Sequence, residues 1–378
     1  MYTQIPTDRA ATYEWRSEST QKPPKNAVFT RETNAAAVLQ NARTDTATVF
    51  TGDYHNAKQI LSALKKRVRG NRPSENHKKP ADPAAAFHRH RLRQAQQSRL
   101  TNMFAVEIGA GFTLSLPRAP DIRAALADLY GKPGPDSAPF LLPLNLLLGL
   151  IGAHEWHKKG VHIPALGAKI HVPFGVFSPI RGEYLDLVAQ AAAHSRFQTA
   201  FDIGTGSGIL AALLAQRGIT CITATDNNPR ALACARANIR RLGFADNISV
   251  EEADLFPEGR ADLILCNPPW LPAKPTSAIE TALYDPGHAM LRGFLNGAAA
   301  HLNPNGEIWL VMSDLAEHLG LRAPGFLPAL FQTASLLVAQ TLHTRPAHKK
   351  AAAPNAPLAF ARSRETTTLY RLQPAVLG

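Results

Sequence analysis

The apolar positions of this chain follow two rhythms, and one gives way to the other near residue 160. Beyond that point, short continuous apolar runs alternate with segments of helical periodicity. Ala200–Ile203, Thr220–Thr225, Ile248–Glu251, Leu263–Cys266 and Ile308–Met312 read as strands covered on both faces. Between them, Gly208–Gln216, Pro229–Leu242 and Gly287–His301 read as helices, and Ser335–Leu342 and Thr366–Leu372 as late strands of the same sheet. Such alternation predicts an α/β fold with a doubly wound, mostly parallel sheet.

Before residue 160 the pattern is mainly helical. Asp53 stands where it caps a helix in which Ala57, Ile60, Leu61, Leu64 and Val68 recur on one face. The opposite face carries Lys58, Lys65, Lys66, Arg67 and Arg69. Gly70–Pro83 is a polar break, and Phe87–Phe104 is helical again, opening on His88, Arg89, His90, Arg91 and Arg93. Phe104–Ile108 and Phe112–Leu116, divided by Gly109, Ala110 and Gly111, predict a small hairpin. A short helix follows over Asp121–Tyr130. The expected organisation is therefore a mainly helical N-terminal domain, residues 1–160, and an α/β domain, residues 161–378.

Charge separates the halves further. Residues 1–160 hold 23 Lys and Arg against 13 Asp and Glu, whereas residues 161–378 hold 18 against 16. Residues 58–99 alone hold 12 cations against Glu75 and Asp82, so this block accounts for the surplus of the first half. A local basic block of this kind suits a polyanionic partner. The longest apolar run, Phe140–Gly152, is too short to span a bilayer, and the start Met1–Pro6 has no signal pattern, so no membrane is expected. Cys221, Cys234 and Cys266 lack metal-ligand spacing and fit a reducing cytoplasm. His154, His157 and His162 lie near Glu155 at a helix end and turn, a placement that requires no ion, and no metal is expected.

The candidate chemistry clusters at strand ends. Asp202, Ile203, Gly204, Thr205, Gly206, Ser207 and Gly208 close a strand and open a helix, with glycines that let a ligand approach the main chain. A carboxylate at Asp202, beside that turn, suits a ligand ammonium better than a pyrophosphate. Asp226 and Asn227 end the next strand, where a carboxylate can grip both ribose hydroxyls. Asp254 and Leu255 follow the third strand, placed to hold an adenine amino group and cover its ring. The fourth strand delivers Asn267, Pro268, Pro269 and Trp270. There a carboxamide oxygen and a backbone carbonyl can accept both hydrogens of a flat –NH2 group while the indole covers its face. The proline pair fixes φ twice and supplies no N–H.

These residues resemble the Rossmann-like, S-adenosylmethionine-dependent methyltransferases, and within them the branch with an Asn-Pro-Pro-aromatic motif. The likeness covers about residues 170–375 and is nearest to the HemK-like protein-glutamine methyltransferases and the small-domain RNA methyltransferases. Phe177–Glu183 and Tyr284–Gly287 sit where HemK-like enzymes carry a Pro-Arg-rich segment and an acidic loop. Trp270 departs from the tyrosine usual in the glutamine enzymes. The resemblance implies a seven-stranded methyltransferase sheet, S-adenosylmethionine as cofactor, and methyl transfer to a planar amino or amide nitrogen. It implies cofactor contacts from Asp202, Gly204, Thr205, Gly206, Gly208, Asp226, Asn227, Asp254, Leu255 and Asn267, and acceptor contacts from Asn267–Trp270. The basic block points to a macromolecular substrate, a base of RNA ahead of DNA. The alternative is a glutamine of a release factor or ribosomal protein.

Overall fold

The computed structural model describes residues 2–70, 80–134, 137–179, 182–193, 196–345 and 358–375. Contacts divide the chain into two units. One comprises Met1–Asn76, His88–Lys158 and Thr276–Ala278; the other comprises His77–Phe87, Lys159–Pro275 and Ile279–Gly378.

The first unit sets beside its expected helices a sheet that the pattern did not predict. Strands β1 (Tyr2–Pro6), β2 (Thr12–Arg16), β3 (Asn26–Thr30), β4 (Thr46–Phe50), β5 (Phe104–Ile108) and β6 (Phe140–Pro143) form one mixed sheet in the order β1-β2-β6-β5-β4-β3. Each of these strands has five residues or fewer, too short for a period of two to declare itself against interleaved Thr, Asn and charged positions. The predicted hairpin does not form. Phe112 adopts φ 59°, Ala110–Phe112 makes a 3-10 turn, and only the Gly109–Thr113 bridge remains. β5 pairs instead with β6, antiparallel, and with β4, parallel.

Among the described residues its helices are α1 (Ala35–Arg43), α2 (Tyr54–Arg69), α3 (Pro83–Asn102), which belongs to this unit from His88 on, α4 (Arg123–Tyr130) and α5 (Leu144–Lys159), which belongs to it as far as Lys158. Asp53 caps α2 as its sequence position requires, accepting the N–H groups of His55 and Asn56. Tyr54, Ala57, Ile60, Leu61 and Leu64 are buried, and Lys58, Lys66, Arg67 and Arg69 are exposed. The connector residues 71–79 of the basic block lie outside the described residues. Asp128 on α4 gathers His154 and His157 of α5, one Oδ2 accepting from both Nδ1 atoms at 2.7 and 2.9 Å. Burial raises the Asp128 pKa, but these two donors bring it below the usual value. His162, exposed on the chain beyond α5, is outside that group.

The second unit holds the expected parallel sheet. A small hairpin of β7 (Val161–Ile163) and β8 (Ala168–Ile170) precedes α6 (Glu183–Ala192). The alternation then runs β9 (Thr199–Ile203), α7 (Ile209–Gln216), β10 (Cys221–Asp226), α8 (Pro229–Leu242), β11 (Ile248–Glu252), β12 (Ala261–Cys266), α9 (Ala289–Ala298) and β13 (Leu302–Ser313). α10 (Leu315–His318), α11 (Phe326–Thr333), β14 (Leu336–Thr344), α12 (Ala359–Arg362) and β15 (Thr367–Pro374) complete it. The strand order is β11-β10-β9-β12-β13-β15-β14, parallel as far as β13, with β15 antiparallel to both β13 and β14. The order reverses between β9 and β12, and ligands of open α/β sheets bind at the carboxyl ends beside such a switch. Alternate strand residues feed two cores. Ala200, Leu263 and Leu265 pack with α6, α7 and α8; Phe201, Ile203 and Ile264 pack with α9 and α11. Among the described residues no helix is long and apolar enough to cross a membrane.

Candidate active site

The site is built where β9, β10, β11 and β12 end. Gly204, Gly206 and Gly208 all have positive φ (72°, 57° and 79°), so the chain reverses from β9 into α7 through conformations that cost other residues about 1–2 kcal/mol each. Two of them have further reasons to be glycine. A Cβ at Gly208 would stand 3.1 Å from the Ala235 backbone, where α8 packs against the turn. One at Gly204 would stand 2.8 Å from the Met290 methyl, whereas one at Gly206 would meet nothing within 4 Å, so there the positive φ alone calls for glycine.

Asp202 is fully buried under this turn. Its Oδ2 accepts the Thr205 hydroxyl at 2.6 Å and the Ala211 N–H at 3.1 Å, while Oδ1 has no hydrogen-bond partner. Burial is the chief cause that pushes its pKa up to about 6; Asp226 adds to the rise, and the two hydrogen bonds oppose it. Thr205 is thus a support for Asp202, with its hydroxyl turned inward. Asp226, at the end of β10, accepts the Gly206 N–H on Oδ2 and the Asn228 N–H on Oδ1, both at 2.9 Å. Each carboxylate oxygen keeps acceptor capacity for a further donor. Asn227 and Asp254 are exposed on the loops after β10 and β11. Leu255 holds φ 77°, strained for a branched side chain, and the Thr225 hydroxyl donates to its carbonyl at 2.6 Å.

Asn267 follows β12 directly. Its Oδ1 accepts the indole Nε1–H of Trp270 at 3.0 Å. Pro268 is buried, and no peptide bond among the described residues is cis. Trp270 is partly buried and packs against both cores, so its ring is anchored and its N–H engaged. The buried Cys266 thiol, one residue before Asn267, is pushed well up by burial first and then by Asp202, Asp285 and Asp226. Three carboxylates therefore give this end of the sheet a negative potential. An orphaned carboxylate oxygen, a glycine turn and that potential all fit a ligand carrying an ammonium and a sulfonium, as S-adenosylmethionine does.

Several organising residues carry no signal in the sequence. Asn238 of α8 is buried, donating to the Ser207 carbonyl at 3.0 Å and accepting from the His171 N–H at 2.8 Å, which ties the glycine turn to the chain before α6. Its only mark is a polar residue on an otherwise apolar helix face. Thr225 is an ordinary strand residue by pattern. Asp285, in the expected acidic loop, is a buried helix cap, accepting from the Met290 and Leu291 N–H groups at 3.0 and 3.1 Å. In the Pro-Arg segment, Ile180 and Arg181 lie outside the described residues.

Comparison with known proteins follows this geometry. Residues 169–341 match the family model described as methyltransferase small domain. A release factor glutamine methyltransferase of Cereibacter sphaeroides is 37% identical over 164 residues, 37% of this chain and 59% of that protein. A ribosomal protein uL3 glutamine methyltransferase of Bordetella pertussis is 28% identical over 187 residues, 44% of this chain and 62% of that protein. A ribosomal RNA small subunit methyltransferase C of Klebsiella pneumoniae is 30% identical over 151 residues, 39% of this chain and 41% of that protein. The chain spans about three-fifths of the length of the first glutamine methyltransferases it matches.

Proposed function

We propose, taking as premise that residues 169–341 belong to the methyltransferase small-domain family, that this chain moves a methyl group from S-adenosylmethionine to the side-chain amide of a glutamine in a translation protein. The observation that carries the reading is Asn267, whose carboxamide stands at the switch point of the sheet, one residue after a buried Cys266 thiol that feels three carboxylates, on a loop stiffened by two prolines. The relatives named as glutamine methyltransferases favour the amide acceptor over the RNA base that the basic block first suggests. The RNA reading keeps one specific support: α2 and α3 contain no Asp or Glu, and a ribosomal RNA methyltransferase is among the relatives. In the glutamine reading the same basic helices hold the chain on a substrate complex that contains RNA. Three free cysteines, two of them buried, fit work in a reducing cytoplasm.

When bound, S-adenosylmethionine supplies an electrophilic methyl on a sulfonium. The chain's own residues supply placement. Asp202 Oδ1 receives an ammonium hydrogen that nothing else in the fold provides, and Asp226 receives ribose hydroxyls on the acceptor capacity it retains. Leu255 covers the adenine, with Asp254 and Asn227 at its polar edge. At the other end, the Asn267 oxygen and the Pro268 carbonyl accept the two hydrogens of the amide nitrogen. Those bonds localise its lone pair, stabilise the positive charge that develops there, and aim it along one line. Alignment of this kind is worth roughly 7–11 kcal/mol of barrier. The part of the anchored Trp270 ring that the two cores leave uncovered serves as the wall on which the planar group lies.

The test is fractionation. An extract of cells lacking the chain is incubated with the purified protein and methyl-labelled S-adenosylmethionine, then separated into protein and RNA. Label in a protein band, recovered as methylated glutamine, is the expected result. Label confined to RNA would reverse the order of the two readings.

A further inference from the structure

Asn267 carries an ambiguity that the methyl-transfer reading must resolve. A carboxamide ends in an acceptor oxygen and a donor –NH2 of nearly equal size, and half a turn about its last torsion exchanges them. Only the oxygen accepts a hydrogen from an amide or amino nitrogen. The –NH2 group would face that nitrogen as a second donor and would instead hold a carbonyl or carboxylate. Pro268 and Pro269 offer no N–H that could tell the two ends apart.

The oxygen end of the Asn267 amide has its own partner. The Trp270 indole, which can only donate, gives its hydrogen to Oδ1 at 3.0 Å. Trp270 is wedged against both cores, so this partner is not free to swing. In the flipped amide, –NH2 would meet the indole N–H, donor against donor. As placed, Oδ1 keeps its second lone pair for the methyl acceptor.

We propose that Trp270 is a positioning residue that locks Asn267 in its acceptor orientation, so that the site takes N–H-bearing amide and amino nitrogens and turns away carboxylates and carbonyls. The proposal deepens the reading of the same site above and rests on it. It also gives the tryptophan a function that a tyrosine ring, with no N–H, would not perform at that position.

The experiment uses the full-length chain labelled with 15N. Trp15, Trp156, Trp270 and Trp309 each contribute one indole N–H signal, and Trp270→Phe identifies the fourth. Expected results are an exchange-protected Trp270 signal that shifts in Asn267→Ala, and slower methyl transfer in Trp270→Phe. At saturating amounts of the protein fraction from a knockout extract, this variant should be about tenfold slower or more. The amount giving half saturation and the dissociation constant for S-adenosylmethionine should both stay within twofold. A lock absent from the molecule would show as an indole signal unmoved by Asn267→Ala, or as Trp270→Phe holding the wild-type maximal rate within twofold. If the indole signal shifts as expected but wild-type protein labels nothing, the methyl-transfer reading fails and the lock stands.

Discussion

Asp202 is held in a state that the ligand-free fold opposes. Its carboxylate is buried, satisfied on one oxygen only, and has its pKa raised to about 6 from an ordinary value of 3.8. A raised folded-state pKa means that the stability contributed by this group is fully present below about pH 4 and is lost as pH rises through about 6, a change on the order of 3 kcal/mol. An ammonium placed against Oδ1 would reverse that penalty, which makes Asp202 a binding group at the expense of stability. Asp202→Asn should separate the two effects. Its oxygen can accept from both Thr205 and Ala211 while its –NH2 takes the place of the orphaned atom. Ligand-free Asp202→Asn should therefore melt at or above the wild-type temperature at pH 8, with the difference vanishing near pH 4. Its affinity for S-adenosylmethionine at pH 8 should fall at least about tenfold by calorimetry. A lower melting temperature with unchanged affinity would assign Asp202 to the core alone.

At the scale of elements, α8 does more than cover the sheet. Its Asn238 side chain bonds the glycine turn on one side and the chain before α6 on the other. Asn238→Ala would strand the His171 N–H and the Ser207 carbonyl, and should lower stability by about 1–3 kcal/mol in urea unfolding. Cofactor affinity should weaken with it, because the turn loses its anchor; a variant as stable as wild type would contradict that role. Elements also show why the two halves differ in legibility. β9, β12 and β13 are buried along most of their length and read as largely apolar runs, and Asp202, Asp226 and Asn267 stand at or just past the carboxyl ends of β9, β10 and β12, as their sequence positions predict. β1 to β4 are five residues each, half-exposed in part, and β2 pairs with β6 from far along the chain. Local periodicity holds no record of such a pairing. For the same reason Asn238 carries little mark in the sequence: it acts across elements, through bonds that no spacing along the chain encodes.

For the molecule as a whole, charge is divided by function. The carboxyl ends of the parallel strands are acidic, which suits a cationic cofactor, and α2 and α3 present cations with no carboxylate among them. Replacing Lys58, Lys66 and Arg67 with Glu on the exposed face of α2 should abolish binding to bulk RNA and leave S-adenosylmethionine affinity unchanged. Wild-type binding should fall steeply with salt, its logarithm declining by about 0.7–0.9 per phosphate contact for each unit of log salt. A triple variant with wild-type RNA affinity and salt slope would remove the basic helices from the account. The central claim, however, lies at the Asn267 loop, and one measurement reaches it most directly. The rate at which Asn267→Ala transfers methyl from S-adenosylmethionine to the extract should be at least about a hundredfold below wild type, with cofactor affinity within twofold. A rate within a few-fold of wild type would contradict the assignment of Asn267 as the group that receives the methyl acceptor.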